Sequence, residues 1–185
     1  MKNYQDLQTL YSLPEISENC VAIDVAFGFI CAIASSEVEI ENWMPMLFLD
    51  ENCNFSNEQV AGDFAQVILA THQQAMQCFQ EQTPLILATD SSEASKDLAI
   101  SNFANGYLQA EILIDNMQTG AKSAIANDLQ QTCLLLLDKL ASYETDDVQK
   151  LAVFKQLPSE SEIIGLLPVL LSRYGHQCLV GKSSC

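Results

Sequence analysis

Apolar residues recur along most of the chain at the three- and four-residue spacing of one face of an α-helix. Alternation of β-branched residues is scarce, and only Pro84–Leu87 is compatible with a strand. A single strand has no partner for its hydrogen bonds, so this stretch is predicted to be an extended loop. The pattern predicts an all-α fold, a single compact domain of seven or eight helices over residues 1–175 with no substantial sheet. Residues 176–185 are predicted to form a flexible tail.

Four helices are predicted before residue 84. Their ranges are Tyr4–Tyr11 closed by Pro14, Ser17–Ala34, a short helix or turn at Glu41–Phe48, and a long helix that follows a capping box of Ser56 and Gln59. The second is apolar nearly all round and is therefore predicted to be central. The predicted buried stripe of the long helix consists of Val60, Phe64, Val67, Ile68, Thr71, Ala75 and Phe79.

Four further helices are predicted in the second half. They start at Asp90 or Ser91, run over Ala121–Tyr143, follow a Thr145 cap, and start at Ser159 with Glu162 as its capping-box partner. Pro168 is predicted to kink or interrupt the last helix, because proline lacks a donor and clashes with the preceding turn. The predicted buried residues are Leu98, Ala99, Phe103, Tyr107, Ala110 and Ile114 in the first of these helices, and Ile125, Leu129, Leu136, Leu137 and Leu140 in the second.

Two glycines inside predicted helices suggest a close helix crossing. Gly28 and Gly106 each cost about 1 kcal/mol relative to alanine, and a close approach of two backbones is the expected compensation. We therefore predict that their helices cross near these residues. Trp43, Phe103 and Tyr107 are predicted packing anchors. Asp24 is the most informative charge, since it interrupts an apolar helix and marks either a polar contact or a buried functional group.

Cation-binding motifs are incomplete in this sequence. The segment Asp50-x-Asn52-x-Asn54 resembles the start of a calcium loop, but Phe55 and Ala61 replace its required Gly and Glu. His176, Cys178 and Cys185 supply at most three of the four ligands that zinc needs. No metal site and no cofactor are predicted.

Catalytic and phosphate-binding patterns are equally incomplete. Gly181-Lys182-Ser183 lacks the upstream Gly of a phosphate-binding loop, where His176 stands. His72 lies at the edge of the long apolar stripe and is interpreted as a packed or half-exposed imidazole. Cys31 lies in an apolar setting that raises its pKa and blunts its nucleophilicity. Glu37 and Glu41 are interpreted as solvent-facing acids. No catalytic residue is predicted.

Charge is distributed unevenly along the chain. The protein has 8 Lys plus Arg against 24 Asp plus Glu, a formal net charge of −16. Residues 3–95 contain 14 acids and no Lys or Arg, whereas residues 96–185 contain seven bases and ten acids. This balance argues against direct binding of nucleic acid or anionic lipid. It favours a basic protein partner for the N-terminal half, although acids also serve solubility.

Compartment and membrane signals point to the cytoplasm. The first residues lack the charged start and apolar core of a secretory signal. Seven cysteines, an odd number without a CxxC pair, indicate reduced thiols. The longest apolar run, Val25–Ala34, is about half of a membrane-spanning length. We expect no membrane segment.

Three blocks of sequence resemble one bacterial family. They are Val25–Ile33 with Ser35-Ser36 and Trp43–Leu47, then Asn102–Leu108, then Ser161–Ile164 with the apolar run to Leu171. In this order the chain resembles the YecA/YgfB family of small bacterial proteins over about residues 20 to 175. Phe27, Phe103 and Pro168 depart from residues frequent in that family. The resemblance implies an all-α fold and transfers no catalytic residue.

The sequence therefore predicts a non-enzymatic acidic protein for interaction or regulation, with a basic protein as partner of its N-terminal half. One alternative is an enzyme or small-ligand binder with a pocket near Asp24. Another is a homodimer formed through the glutamine-rich outer face of the long helix, since that face is polar but uncharged.

Overall fold

The computed structural model describes residues 2–50, 55–87, 93–117, 122–142 and 145–181. The predicted all-α class is confirmed, because these residues form nine α-helices and one 3₁₀ helix without a β-strand. The α-helices are α1 (Lys2–Tyr11), α2 (Pro14–Asn19), α3 (Ile23–Ile33), α4 (Ile40–Trp43), α5 (Glu58–Glu81), α6 (Glu93–Met117), α7 (Ala124–Ala141), α8 (Val148–Phe154) and α9 (Glu160–Val180), and the 3₁₀ helix is Met44–Leu47.

Helix α3 lies at the centre of the core. Residues 26–33 are all buried, in keeping with the apolar character of this segment on every side. It packs most extensively on α6 and also contacts α5. Around this centre, α6 packs on α7, α7 and α5 pack on α9, and α1 packs on α5.

The single helix predicted from Ser17 to Ala34 is in fact two helices. The break falls at residues 20–22, where the backbone pairs with residues 47–49, at the end of the 3₁₀ helix and directly after it. Val21 N–H donates to Leu47 O at 3.0 Å, Leu49 N–H donates to Asn19 O at 2.9 Å, and an isolated bridge joins Cys20 to Phe48. These long-range bonds replace the helical ones. Pro14 begins α2, at a position where its missing N–H costs nothing.

Helix ends follow capping chemistry, with small shifts from the predicted positions. The capping box of Ser159 and Glu162 is present at the start of α9. Helix α5 is capped by the Asn57 side chain instead of Ser56, which binds Glu15 of α2. Helix α8 is capped by Asp147, two residues after the predicted Thr145 cap. The predicted start of α6 at Asp90 or Ser91 lies outside the described residues.

Two predicted core residues are exposed. Leu98 on α6 and Ile125 on α7 both face outward. Leu98 lies about 140° around the helix from Phe103, at about 100° a residue, so it is opposite the buried stripe. On α7 the buried line consists of Ala126, Gln130, Cys133, Leu136, Leu137 and Leu140. Ile125 is one position away from that line.

Helix α9 differs from its prediction in two respects. It continues through Pro168 without interruption, so the predicted break is wrong, whereas the predicted kink stays a prediction. Leu167 and Leu171, on either side of the proline, are fully buried. It also runs to Val180, so residues 176–180 of the predicted flexible tail are helical. Cys178 and Leu179 pack against the core. Residues 182–185 lie outside the described part of the chain.

Helix α9 is also, among the described helices, the one that is long and apolar enough to cross a membrane by length and composition. Its most apolar window has a mean hydropathy of 1.3, and 39% of that window is buried in this fold. The helix packs against α5 and α7 here, as a core helix does. The expectation of no membrane segment stays a prediction.

Candidate functional site

The acidic half of the chain, residues 3–95, presents carboxylates over much of its surface. Nine described acids in this range are exposed: Asp6, Glu18, Glu37, Glu39, Glu41, Asp50, Glu58, Asp63 and Glu81. They come from α1, α2, α4, α5 and the connections between these helices. In the other half, Lys122 pairs with Asp115 at 2.9 Å and Lys150 with Asp138 at 2.8 Å. The acidic half has no Lys or Arg to neutralise its carboxylates, so its electrostatic field is strongly negative.

Asp24 lies in the first turn of α3, not in the middle of a helix as predicted. The helix dipole favours an acid at this position. The Tyr4 hydroxyl donates to Asp24 Oδ1 at 2.8 Å, which ties α1 to α3. Partial burial raises the pKa of the carboxyl, and the bond from Tyr4 opposes this shift. In this structure Asp24 is a polar tie between two helices.

The predicted helix-crossing residues lie where α3 and α6 meet. A Cβ added to Gly28 would lie 2.0 Å from Phe103 O, and one added to Gly106 would lie 1.9 Å from Val25 O. Only glycine therefore allows the two backbones this approach. The buried rings of Phe103 and Tyr107 extend from the crossing, with centroids 6.1 Å apart.

Trp43, the last residue of α4, is fully buried. Its ring stacks on the His72 imidazole, with centroids 5.6 Å apart and planes 15° from parallel. Burial lowers the pKa of His72, so the neutral imidazole is favoured in this stack. His72 is thus half-buried and packed against an aromatic ring, the arrangement that its place on the α5 stripe predicts.

A buried polar cluster that the sequence analysis missed lies between α6, α7 and α9. Its centre is Glu111, only 2% exposed. Glu111 Oε2 accepts hydrogen bonds from Gln130 Nε2 at 2.8 Å and from the Tyr174 hydroxyl at 2.9 Å. Lys122 Nζ lies 3.9 Å from the same oxygen and donates to the Tyr174 hydroxyl at 3.1 Å. One carboxylate oxygen therefore joins three segments of the fold.

Two polar atoms of the cluster lack a hydrogen bond within the described residues. Glu111 Oε1 and the Tyr107 hydroxyl are buried without a hydrogen bond to any described residue. Burial raises the pKa of Glu111, and the bond from Gln130 and the charge of Lys122 oppose the shift. The spacing of α6 contained a signal for this residue. Position 111 is one turn after Tyr107 and three residues before Ile114, on the predicted buried stripe.

Two of the described thiols, Cys31 and Cys133, are buried and poorly reactive. Burial raises the pKa of Cys31 far above its usual value and that of Cys133 to about 12. A thiolate is therefore strongly disfavoured at both positions, in agreement with the interpretation of Cys31 as a packing residue. Within the described residues, no group of three or more His, Cys, Asp or Glu side chains is arranged to hold a metal ion.

His176 has a partner in α5 instead of a metal ligand set. Its Nδ1 lies 3.1 Å from Phe79 O, so Nδ1 carries the proton and donates it. Nε2 lies 3.3 Å from the Gln82 amide nitrogen. The two contacts join α9 to the C-terminal end of α5. Residues 51–54 of the incomplete calcium loop and residues 182–183 of the incomplete phosphate-binding loop lie outside the described residues.

A shallow cleft of about 220 Å³ lies at the junction of α7, α8 and α9. Its lining residues are Lys139, Ser142, Leu151, Phe154, Lys155 and Glu160. The Lys139 ammonium donates to Phe154 O and Pro158 O, at 3.0 and 2.7 Å. The cleft includes neither Asp24 nor a histidine, so it is not the pocket that an Asp24-based site requires.

Comparison with known proteins adds no relative: no family model, curated protein or solved structure matches this chain.

Proposed function

We propose that this protein is a non-enzymatic interaction or regulatory protein that binds a basic protein through its acidic half. The observation that supports the proposal is the run from residue 3 to residue 95, with 14 acids and no Lys or Arg. The described acids of this run are mostly exposed. Charge of one sign over such a surface steers an oppositely charged partner and speeds encounter.

The same charge opposes other classes of partner. A nucleic acid backbone or an anionic lipid surface would be repelled by a net charge of −16. Glutamine-rich self-association through α5 carries less repulsion locally, but it would still bring two strongly acidic chains together. A basic protein is therefore the partner that the electrostatics favour.

The alternative of an enzyme or ligand binder near Asp24 receives no support from the geometry. The carboxylate is bound to Tyr4, and the contacts of His72 and His176 are with other groups.

A capture experiment tests the proposal. The immobilised protein is incubated with lysate at low salt and eluted at high salt, and retained proteins are identified by mass spectrometry. We expect basic proteins at low salt and their release as the charges are screened. If no partner is retained at low salt, or if the retained proteins are not basic, the proposal is wrong.

Two charge variants locate the interaction. The first replaces Glu18, Glu39, Glu41 and Glu58 by glutamine, in the acidic half. The second replaces four exposed acids of the other half, Asp97, Asp128, Asp146 and Glu160, by their amides. Both lose four negative charges. The proposal predicts weaker capture by the first variant, and equal weakening by both would contradict it.

A further inference from the structure

The acidic half carries an apolar surface as well as charge. Ile40, Met46 and Leu49 are 47%, 54% and 66% exposed. We call these three residues the apolar ridge. Six residues of α-helix or 3₁₀ helix rise about 9 to 12 Å, so the backbone positions of Ile40 and Met46 are separated along the axis by about the 10 Å diameter of one helix.

The ridge is held on a rigid base. Trp43 and Leu47, between the ridge residues, are fully buried. The backbone bonds from Val21 to Leu47 and from Leu49 to Asn19 fix the chain after the 3₁₀ helix against the start of the core. The backbone that carries the ridge is therefore tied to the core, which reduces the backbone entropy lost on binding.

Exposed carboxylates lie next to the ridge residues along the chain and next to a residue bonded to them. Glu39 and Glu41 are exposed on either side of Ile40, and Glu18 precedes Asn19, the residue bonded to Leu49. We call these three acids the acidic rim. An apolar centre with a charged rim is the usual anatomy of a protein-binding surface. Its complement is an apolar stripe flanked by Lys or Arg, as on a basic amphipathic helix.

We propose that the apolar ridge and its acidic rim bind a basic amphipathic helix of another protein. The proposal rests on the proposed function and names the surface and the kind of partner. A second copy of this chain does not fit the rim, since its net charge is also negative. Of the other exposed apolar residues, Ile112 and Val148 lie in the half that contains the cations, whereas Leu13 and Ile86 are isolated positions of the acidic half, far from residues 40–49 in sequence.

The test uses two synthetic probes with the same Lys and Leu composition. One segregates Leu on a single helical face, and the other is scrambled so that no apolar stripe forms. Binding to the full-length protein is measured by titration calorimetry and by the fluorescence of Trp43, the single tryptophan. We expect the amphipathic probe to bind at least about tenfold more tightly than the scrambled one.

A ridge variant and a matched control test whether the amphipathic probe binds at the apolar ridge. The ridge variant is Ile40→Ser with Met46→Ser and Leu49→Ser. The control changes Ile112, Ile125 and Val148, which are as exposed as the ridge residues, to serine. Circular dichroism and thermal melts establish that both fold. We expect about tenfold weaker binding of the amphipathic probe by the ridge variant and unchanged binding by the control.

Each other outcome has a distinct meaning. Equal binding by the ridge variant and the wild type overturns the ridge proposal and leaves the acidic-half proposal standing. No binding of either probe at low salt overturns both. A concentration-dependent dimer in sedimentation that the ridge variant abolishes overturns the proposed partner and assigns the ridge to a second copy.

Discussion

At the scale of single residues, the glycines of the α3–α6 crossing make the sharpest demand on sequence. The Gly28→Ala change places a Cβ 2.0 Å from the Phe103 carbonyl oxygen, and backbone at a helix crossing cannot move aside. We expect the free energy of unfolding to fall by about 3 kcal/mol, as in overpacked cores. Urea denaturation measures the change.

Gly62 is the matched control for that substitution. It lies in α5, and a Cβ there meets no atom within 4 Å. Gly62→Ala should stabilise the protein by about 0.5 to 1 kcal/mol, because glycine is the poorer helix former. Similar effects of the two changes would mean that the crossing is not as tight as described.

Glu111 makes a prediction about pH. Its pKa is raised by burial in the folded state, so the folded protein holds this proton more tightly than the unfolded chain. Its contribution to stability is full below the unfolded pKa of about 4.3 and is lost as pH rises through the raised folded pKa. The stability of Glu111→Gln relative to wild type should therefore increase as pH rises from about 4 to neutrality.

Denaturant unfolding over this pH range measures the difference. Asp115→Asn is the control, because Asp115 also pairs with Lys122 but is half-exposed. It separates loss of the Lys122 pair from removal of a buried carboxyl. A Glu111→Gln difference that does not change with pH would contradict the account of the cluster.

At the scale of elements, local chemistry predicted helices better than their boundaries. The Ser159 and Glu162 capping box and most of the α5 stripe are read from neighbouring residues, and both are confirmed. The break before Ile23 depends on backbone bonds to residues 47 and 49, which no local pattern contains. The burial of Glu111 was readable from its place on the α6 stripe, but its hydrogen-bond partners come from α7 and α9 and no local pattern contains them.

The end of α5 provides a test at this scale. Gln82 caps the helix in the left-handed region, with φ of 53°, and its side chain contacts His176. Both Gln82→Ala and Gln82→Gly lose that contact, but only glycine avoids the backbone strain. We expect the glycine variant to be more stable than the alanine variant by about 1 kcal/mol. Equal stabilities, measured by thermal melting, would show that this cap is unstrained.

At the scale of the whole molecule, charge sets the behaviour. A net charge of −16 makes the compact state repel itself, and salt screens this repulsion. The melting temperature should therefore rise as NaCl is increased from about 10 mM to about 300 mM, a range over which the Debye length falls severalfold. Differential scanning calorimetry measures it. A fall in melting temperature would mean that attractive ion pairs dominate.

The central claim is that the acidic half is the face that binds a basic partner. Hydrogen–deuterium exchange of the full-length protein, with and without the amphipathic Lys and Leu probe, tests it most directly. The account predicts slower exchange concentrated in residues 39–49 and their neighbours in α2, with little change in α7 to α9. Protection confined to the C-terminal half would contradict it.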